Sequence, residues 1–295
     1  MFVSTGKEIL DILKNENITL AEYAIREEMN RSGFTREKAI DKMRANLNVM
    51  RKYSTNSQEK EIETAGNLIK GDAKRLKEYS RSGKALTGEF MVDAMSRAMS
   101  CSETNSAMGR IVACPTAGSC GILPAVVLSV GEKLNKTEDE MIQALFVAGG
   151  IGILIAKNAT LAGAEGGCQA ECGAGSAMAS AAAVHMLGGT AEQEMDAAAI
   201  VIKNILGLVC DSVAGIVEVP CAKRNVAGTV SAIATADMVM SGITSKIPLD
   251  EMIVAMYKVG KQLPAELRET SLGGIAVTPT ALKLKEQIEK MNKMD

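Results

Sequence analysis

The chain has 295 residues with 33 basic and 35 acidic side chains, a formal net charge of -2, and no stretch where lysine or arginine alternates with aromatics, so no nucleic-acid partner is expected. Hydrophobic residues make up 47% of the chain but aromatics only 3%, with no Trp and 18 Met, so a large core must be built from Ala, Val, Ile, Leu and Met in closely packed helices. Seven cysteines is an odd number for a disulfide framework, and Lys7, Glu8 and Asp11 interrupt the apolar stretch a signal peptide needs, so a cytoplasmic location is expected and ligation by cysteine becomes the question.

The first 100 or so residues are charged and helical in pattern. Thr19 and Glu22 make a capping-box signature around Leu20, Tyr23 and Ala24. Ile40, Met43, Leu47 and Met50 then form one apolar stripe on a solvated helix. A further polar helix is expected from about Ser57 to Ser80, with Arg81-Ser82-Gly83-Lys84 as its exit turn. From Cys101 to about Gly242 charges thin out and small residues recur in blocks, which predicts helices buried on all sides. Thr137 with Glu140, and Thr190 with Gln193, repeat the capping pattern ahead of core helices over Met141–Lys157 and Met195–Leu208.

The uncharged apolar run Ala144–Ala156 is 13 residues long and holds three glycines. Spanning a bilayer takes roughly 20, so the run predicts a buried helix and no membrane anchor. From Pro248 the chain returns to charged amphipathic helix, and Lys283–Asp295 mixes both signs like a solvated tail. The β-branched runs at Ile200–Ile202 and Gly215–Val219 are short, so the fold class is mainly α. The expected architecture is a compact bundle of buried Ala/Gly/Met-rich helices with peripheral amphipathic ones. It forms a single catalytic domain with a charged flank over 1–100, a core over 101–282 and a tail over 283–295.

Three glycine-rich, cysteine-bearing segments interrupt the apolar helices: Ala113–Gly121, Glu165–Gly175 and Cys210–Cys221. Their glycines let backbone N–H groups approach a ligand closely, and the helices that follow point their positive ends back at it, which suits an anionic cluster or a carboxylate. Cys168 and Cys172 make one C-x3-C pair with no second pair or histidine at zinc spacing, and Gly175 stands where a radical-type C-x3-C-x2-C run needs its third cysteine. Burial as small hydrophobes is the alternative reading for any one cysteine. His185, on an apolar helix, reads as a satisfied core residue rather than a base. Gly149–Gly152 lies inside a helical run without a preceding strand, which excludes a dinucleotide fingerprint. Ala117 stands where a nucleophile elbow around Ser119 would need glycine.

The stretches Gly109–Pro124, Glu165–Gly175, Cys210–Gly228 and Leu267–Thr280 resemble the α chain, or catalytic half, of bacterial iron-sulfur-dependent L-serine dehydratases, over about Ser82 to Leu282. The resemblance implies conversion of L-serine to pyruvate and ammonia, in amino-acid degradation and gluconeogenesis. It also implies a [4Fe-4S] cluster held by Cys168, Cys210 and Cys221 with one iron open to substrate. Cys172 is the rival ligand, and Cys114 and Cys120 fall in a segment assigned to substrate. There Thr116, Ser119 and the amides around Gly118 and Gly121 are candidates to grip the carboxylate, Ser119 reading equally as a helix cap. Lys223, Arg224 and Asn225 are candidates to bind the carboxylate or tune the cluster, or are plain surface groups.

Single-chain members of that family carry a further β-type region with an S-S-S-H-T-x-G-P-like segment whose histidine is thought to act as the base. Nothing like it stands in this sequence. The resemblance therefore implies a heterodimer with a separate β chain that brings the base, docked on the charged N-terminal helices or on the rim of the cluster pocket. Two alternatives stand beside it: a lyase of the L-cysteine desulfidase type using the same cluster, and a helical subunit without chemistry. A pyridoxal phosphate enzyme lacks support, since no glycine-rich phosphate cup pairs with a Schiff-base lysine.

Overall fold

The structure, a computed structural model, describes residues 4–291, and the ends of the N-terminal and tail expectations, at 1–3 and 292–295, lie outside the described residues. The chain runs through α1 (Gly6–Glu16), α2 (Leu20–Ser32), α3 (Arg36–Thr55), α4 (Asp72–Ser80), α5 (Gly88–Ser106), α6 (Ile122–Lys133), α7 (Glu138–Asn158) and the single turn α8 (Gly163–Gly166). It continues through α9 (Ala174–Met186), α10 (Ala191–Ile205), α11 (Cys221–Met240), α12 (Leu249–Gln262) and α13 (Pro279–Met291). Among the described residues there is no strand, only an isolated parallel bridge between Cys210 and Arg268, so the fold is all-α as the sequence predicts. The β-branched run at 215–219 stays in turns.

The helix starts follow their capping chemistry. Thr137 and Thr190 each accept a hydrogen bond from the backbone of Glu140 and Gln193, whose side chains bond back to the cap, closing both predicted boxes. At Thr19 only half the box forms. The Thr19 hydroxyl takes the Glu22 amide, but the Glu22 carboxylate is drawn away to Arg26 and Arg36 at 2.9 and 2.7 Å.

One expectation is corrected: the polar helix read over Ser57–Ser80 forms only as α4, from Asp72. After α3 the chain turns inward, because its backbone amides and the Gln58 side chain find partners across the fold. The Ser57 amide donates to Ser100 Oγ at 3.1 Å and Gln58 Nε2 to Ser96 Oγ at 3.0 Å. The amides of Gly66 and Leu68 donate to the two oxygens of Glu218, at 2.6 and 2.8 Å. Such bonds compete with the helical ladder and win where they are buried.

At the centre lies α9, buried from Ala174 through Val184 and packed against α6, α7, α10 and α11. Its Ala, Gly and Ser surface lets four neighbours come close, which is why so small a complement of aromatics suffices. The predicted apolar run sits in α7, whose 21 residues are long and apolar enough to cross a bilayer, though most of its inner residues are packed against α2 and α9. His185 Nδ1 and Glu194 Oε1 meet at 2.7 Å between α9 and α10, the partnered core role expected of it. Leu47 and Met50 of the α3 stripe are buried, with Ile40 and Met43 packed at the margin. The tail is helical to Met291 and mostly exposed, with Ala281 and Ile288 turned inward.

Candidate functional site: a pocket of four thiols at helix starts

Each cysteine-bearing segment ends where a helix begins. In the first, Thr116 caps a short turn over Ala117–Ser119 and α6 opens at Ile122. In the second, Cys168 leads into a five-residue π-helical turn, Gln169–Gly173, that runs on into α9. Such wide turns place extra residues in a helix and are frequent at functional sites. In the third, Cys210 is held on both sides of its peptide, its amide donating to Leu267 O at 2.9 Å and its carbonyl accepting from Glu269 N at 2.8 Å, and Cys221 is the first residue of α11.

All seven cysteines are buried and unpaired, and they fall into two groups. Cys101, Cys114 and Cys120 lie together, with Cys114 Sγ and Cys120 Sγ turned to backbone carbonyls. Burial, and then one another's charge, push all three thiols up, so they are inert small hydrophobes. The second group is Cys168, Cys172, Cys210 and Cys221. Cys168 Sγ and Cys172 Sγ are 3.4 Å apart, and a charge on Cys168 is felt by Cys172, Cys210 and Cys221 alike. Within it, burial raises Cys210 and pushes Cys221 up to about 12. Cys172 is raised by its hydrogen bond to Cys168 and by burial. Cys168 alone is lowered, by the Cys172 hydrogen bond and then by the charge of Arg224, against its burial. The pocket is thus arranged to hold one thiolate readily and more only if a cation joins them.

Around the thiols stand Glu171 and the Arg224–Asp211 pair, with Glu269 near Cys210. Glu171, between the paired cysteines in sequence, accepts from Thr116 Oγ1 at 2.7 Å and is raised by its burial. Its seat exists because Gly118 and Gly163 lack side chains: a Cβ at either would lie 2.9 or 2.6 Å from a Glu171 oxygen. Arg224, one turn into α11, pairs with Asp211 at 2.8 Å, the two side chains 14% and 3% exposed.

The predicted substrate residues divide. Thr116 faces Glu171 and lines an open cavity of about 710 Å³, together with Asn158, Thr160, Glu165 and Tyr257. Ser119 is fully buried and bonded within its own turn, to Cys114 O and Thr116. Asn225 braces that turn from α11: Nδ2 donates to Gly118 O at 2.7 Å and to Cys221 O at 2.9 Å, and Oδ1 accepts from Gly121 N at 2.9 Å. The amide of Gly121 and the carbonyl of Gly118 are therefore committed to the scaffold. Lys223 lies apart, in an exposed ion pair with Asp72 at 3.0 Å. The cysteines expected as ligands, Cys168, Cys210 and Cys221, are brought together with Cys172. Sequence reasoning passed over Glu171, whose one signal is a carboxylate standing between the two cysteines of a glycine-rich stretch whose only other charge is Glu165.

Residues 15–276 match the family model described as "Serine dehydratase alpha chain". The chain is 49% identical over 282 residues to "Probable L-serine dehydratase, alpha chain" of Bacillus subtilis, covering 96% of this chain and 94% of that one. It is 44% identical over 288 residues to "L-serine dehydratase, alpha chain" of Peptoniphilus asaccharolyticus, covering 98% and 99%. Against "L-serine dehydratase 1" of Escherichia coli it is 42% identical over 182 residues, 61% of this chain but only 40% of that longer protein.

Proposed function

The chain belongs to the serine dehydratase alpha chain family, and from that premise we propose that it is the cluster-bearing subunit of an enzyme converting L-serine to pyruvate and ammonia, with Cys168, Cys210 and Cys221 as ligands of a [4Fe-4S] cluster. The observation that carries the reading is that buried, unpaired thiols from two separate segments, Cys168 with Cys172 and Cys210 with Cys221, lie near enough to feel one another's charge. The donor chemistry fits: soft sulfur ligands without histidine suit iron-sulfur ligation. Among the described residues no three Cys, His, Asp or Glu close on a single metal ion. Of the close pair, 3.4 Å apart, we assign Cys168 as the ligand and Cys172 as the rival donor that the substitutions below distinguish.

Bound there, the cluster supplies Lewis acidity through its one iron without a cysteine ligand, which makes hydroxide a workable leaving group at neutral pH. The chain's own residues shape what approaches it. Thr116 lines the open cavity with its hydroxyl oriented by Glu171, so a substrate in that cavity meets a fixed polar group on its wall. Glu171, raised by burial, is suited to hold a proton at the pocket's edge. The start of α6 offers the positive end of its backbone dipole to a carboxylate beside the turn that Asn225 keeps in place. Loss of the Cα proton and of the hydroxyl leaves aminoacrylate, whose imine tautomer hydrolyses to pyruvate and ammonia unaided.

The match to 40% of the E. coli protein, and the alpha-chain names of the closer relatives, support a second chain that completes the site. We assign the base that removes the Cα proton to that β chain. The test is iron and sulfide analysis of anaerobically reconstituted Cys168→Ser, Cys210→Ser, Cys221→Ser and Cys172→Ser. The first three are expected to lose the cluster while the fourth retains it. Wild-type iron in all of the first three defeats the assignment.

A further inference from the structure

We infer that Arg224 is the positioning residue of this site: one guanidinium ties the backbone around Cys210 to the helix that opens with Cys221 and brings its charge near Cys168. The inference rests on the cluster reading above and concerns how this chain prepares for that group.

The contacts are specific. Arg224 Nη1 donates to Val209 O at 2.7 Å and Nη2 to Asp211 Oδ1 at 2.8 Å, so the side chain holds Cys210 by the residues on both sides of it. The charge of the same guanidinium is felt by the Cys168 thiol. Through its backbone it belongs to the turn that carries Cys221, its amide bonding Pro220 O at 3.0 Å. The web reaches one step further. The other oxygen of Asp211 accepts from Ile275 N at 2.8 Å. It does so across Gly274, whose φ of +60° and open Cα are both needed, since a Cβ there would stand 2.3 Å from that oxygen. A flat, many-donor guanidinium can serve a carbonyl and a carboxylate at once, which an ammonium on a flexible stem does not.

Two consequences separate this role from an ordinary buried ion pair. Groups that orient ligands from behind typically govern metal retention by roughly 10–100-fold. Charge and hydrogen bonds at the sulfurs also set an iron-sulfur cluster's reduction potential, and a cation there favours the reduced form.

The experiment uses the chain co-produced with its partner and reconstituted anaerobically. It compares wild type with Arg224→Gln and Arg224→Lys by iron content, rate of iron release to a ferrous chelator, cluster midpoint potential, and thermal midpoint of the iron-free protein. Arg224→Gln is expected to release iron roughly 10–100-fold faster and to shift the potential negative. Arg224→Lys is expected to keep the potential near wild type, because the charge remains, while still releasing iron faster, because the fork is gone. Wild-type release and potential in Arg224→Gln overturn the inference and leave the cluster reading standing. Should Arg224→Gln fail to fold, wild-type iron release in Arg224→Lys overturns it equally. Wild type that takes up no iron overturns the cluster reading itself, and this inference with it.

Discussion

Replacing Asn225 by alanine tests whether the first cysteine-bearing turn is held from α11. The side chain is 1% exposed and makes the three bonds to Gly118 O, Cys221 O and Gly121 N described above. A net hydrogen bond contributes about 1 kcal/mol, and a buried group left without a partner costs about 1–3 kcal/mol. Gly118 O is only part-buried, and water can replace Asn225 there. Gly121 N loses its buried partner outright, whereas Cys221 O keeps the helical bond from the Asn225 amide within α11. The sum is about 2–4 kcal/mol for Asn225→Ala, large against the roughly 5–15 kcal/mol of a typical fold. Asn225→Asp keeps the acceptor for Gly121 and, while protonated, can donate to only one of the two carbonyls, so it is expected to fall no lower than alanine near pH 4 and to worsen above it as the carboxyl ionises in a buried site and loses that donor too. Urea unfolding followed by circular dichroism measures both. A loss under about 1 kcal/mol for Asn225→Ala would refute the bracing role.

Gly228 of α11 is expected to reject even a methyl group, since a Cβ there would lie 2.5 Å from Ser176 Oγ and 2.7 Å from Ile122 Cδ1. Gly228→Ala should destabilise by about 1–3 kcal/mol, and Ser176→Ala, which removes a buried hydroxyl without a hydrogen-bond partner, should recover part of that in a double-mutant cycle. For pH, Glu140 closes the α7 capping box and is lowered to about 2, first by its bond to Lys136 and then by the Thr137 backbone. A carboxylate depressed on folding stabilises above its unfolded value of 4.5, and that contribution is lost as pH falls toward 2. The stability gap between wild type and Glu140→Gln, read by acid titration of the helical signal, is therefore expected to close across that window. A gap unchanged down to pH 2 would contradict the linkage.

The helices were legible where their signals are local. A capping threonine, a glutamate or glutamine three residues on and an apolar run are all contained in one stretch of chain, and α7 and α10 begin where those signals stand. The segment after α3 was not legible, because what turns it inward is Ser96, Ser100 and Glu218, dozens of residues away. The same division runs through the site. The cysteine-bearing segments announce themselves by composition, but nothing in their spacing says that Cys114 and Cys120 would join Cys101 instead of Cys168. Lys223 and Arg224 are neighbours in sequence and alike in charge, yet one turns out to Asp72 and the other in to Asp211. Only the direction each side chain leaves α11 separates them, and a helix turns about 100° between successive residues.

That rotation also explains why the pocket is built at helix starts. A thiol at the first turn of a helix needs neighbours that approach closely, and α9, with its Ala, Gly and Ser faces, lets the beginnings of α6 and α11 draw near its own. Cys168 and Cys221 inherit their positions from that regular packing. Cys210 does not: it lies on irregular backbone, and its place is set by the bridge to 267–269 and by the Arg224–Asp211 pair that ties in Ile275. The late segment following α12 thus acts as the third wall of a site whose other walls come from the core. The pocket is complete only when residues near 275 are in place, so damage there should reach the ligand set without touching a ligand.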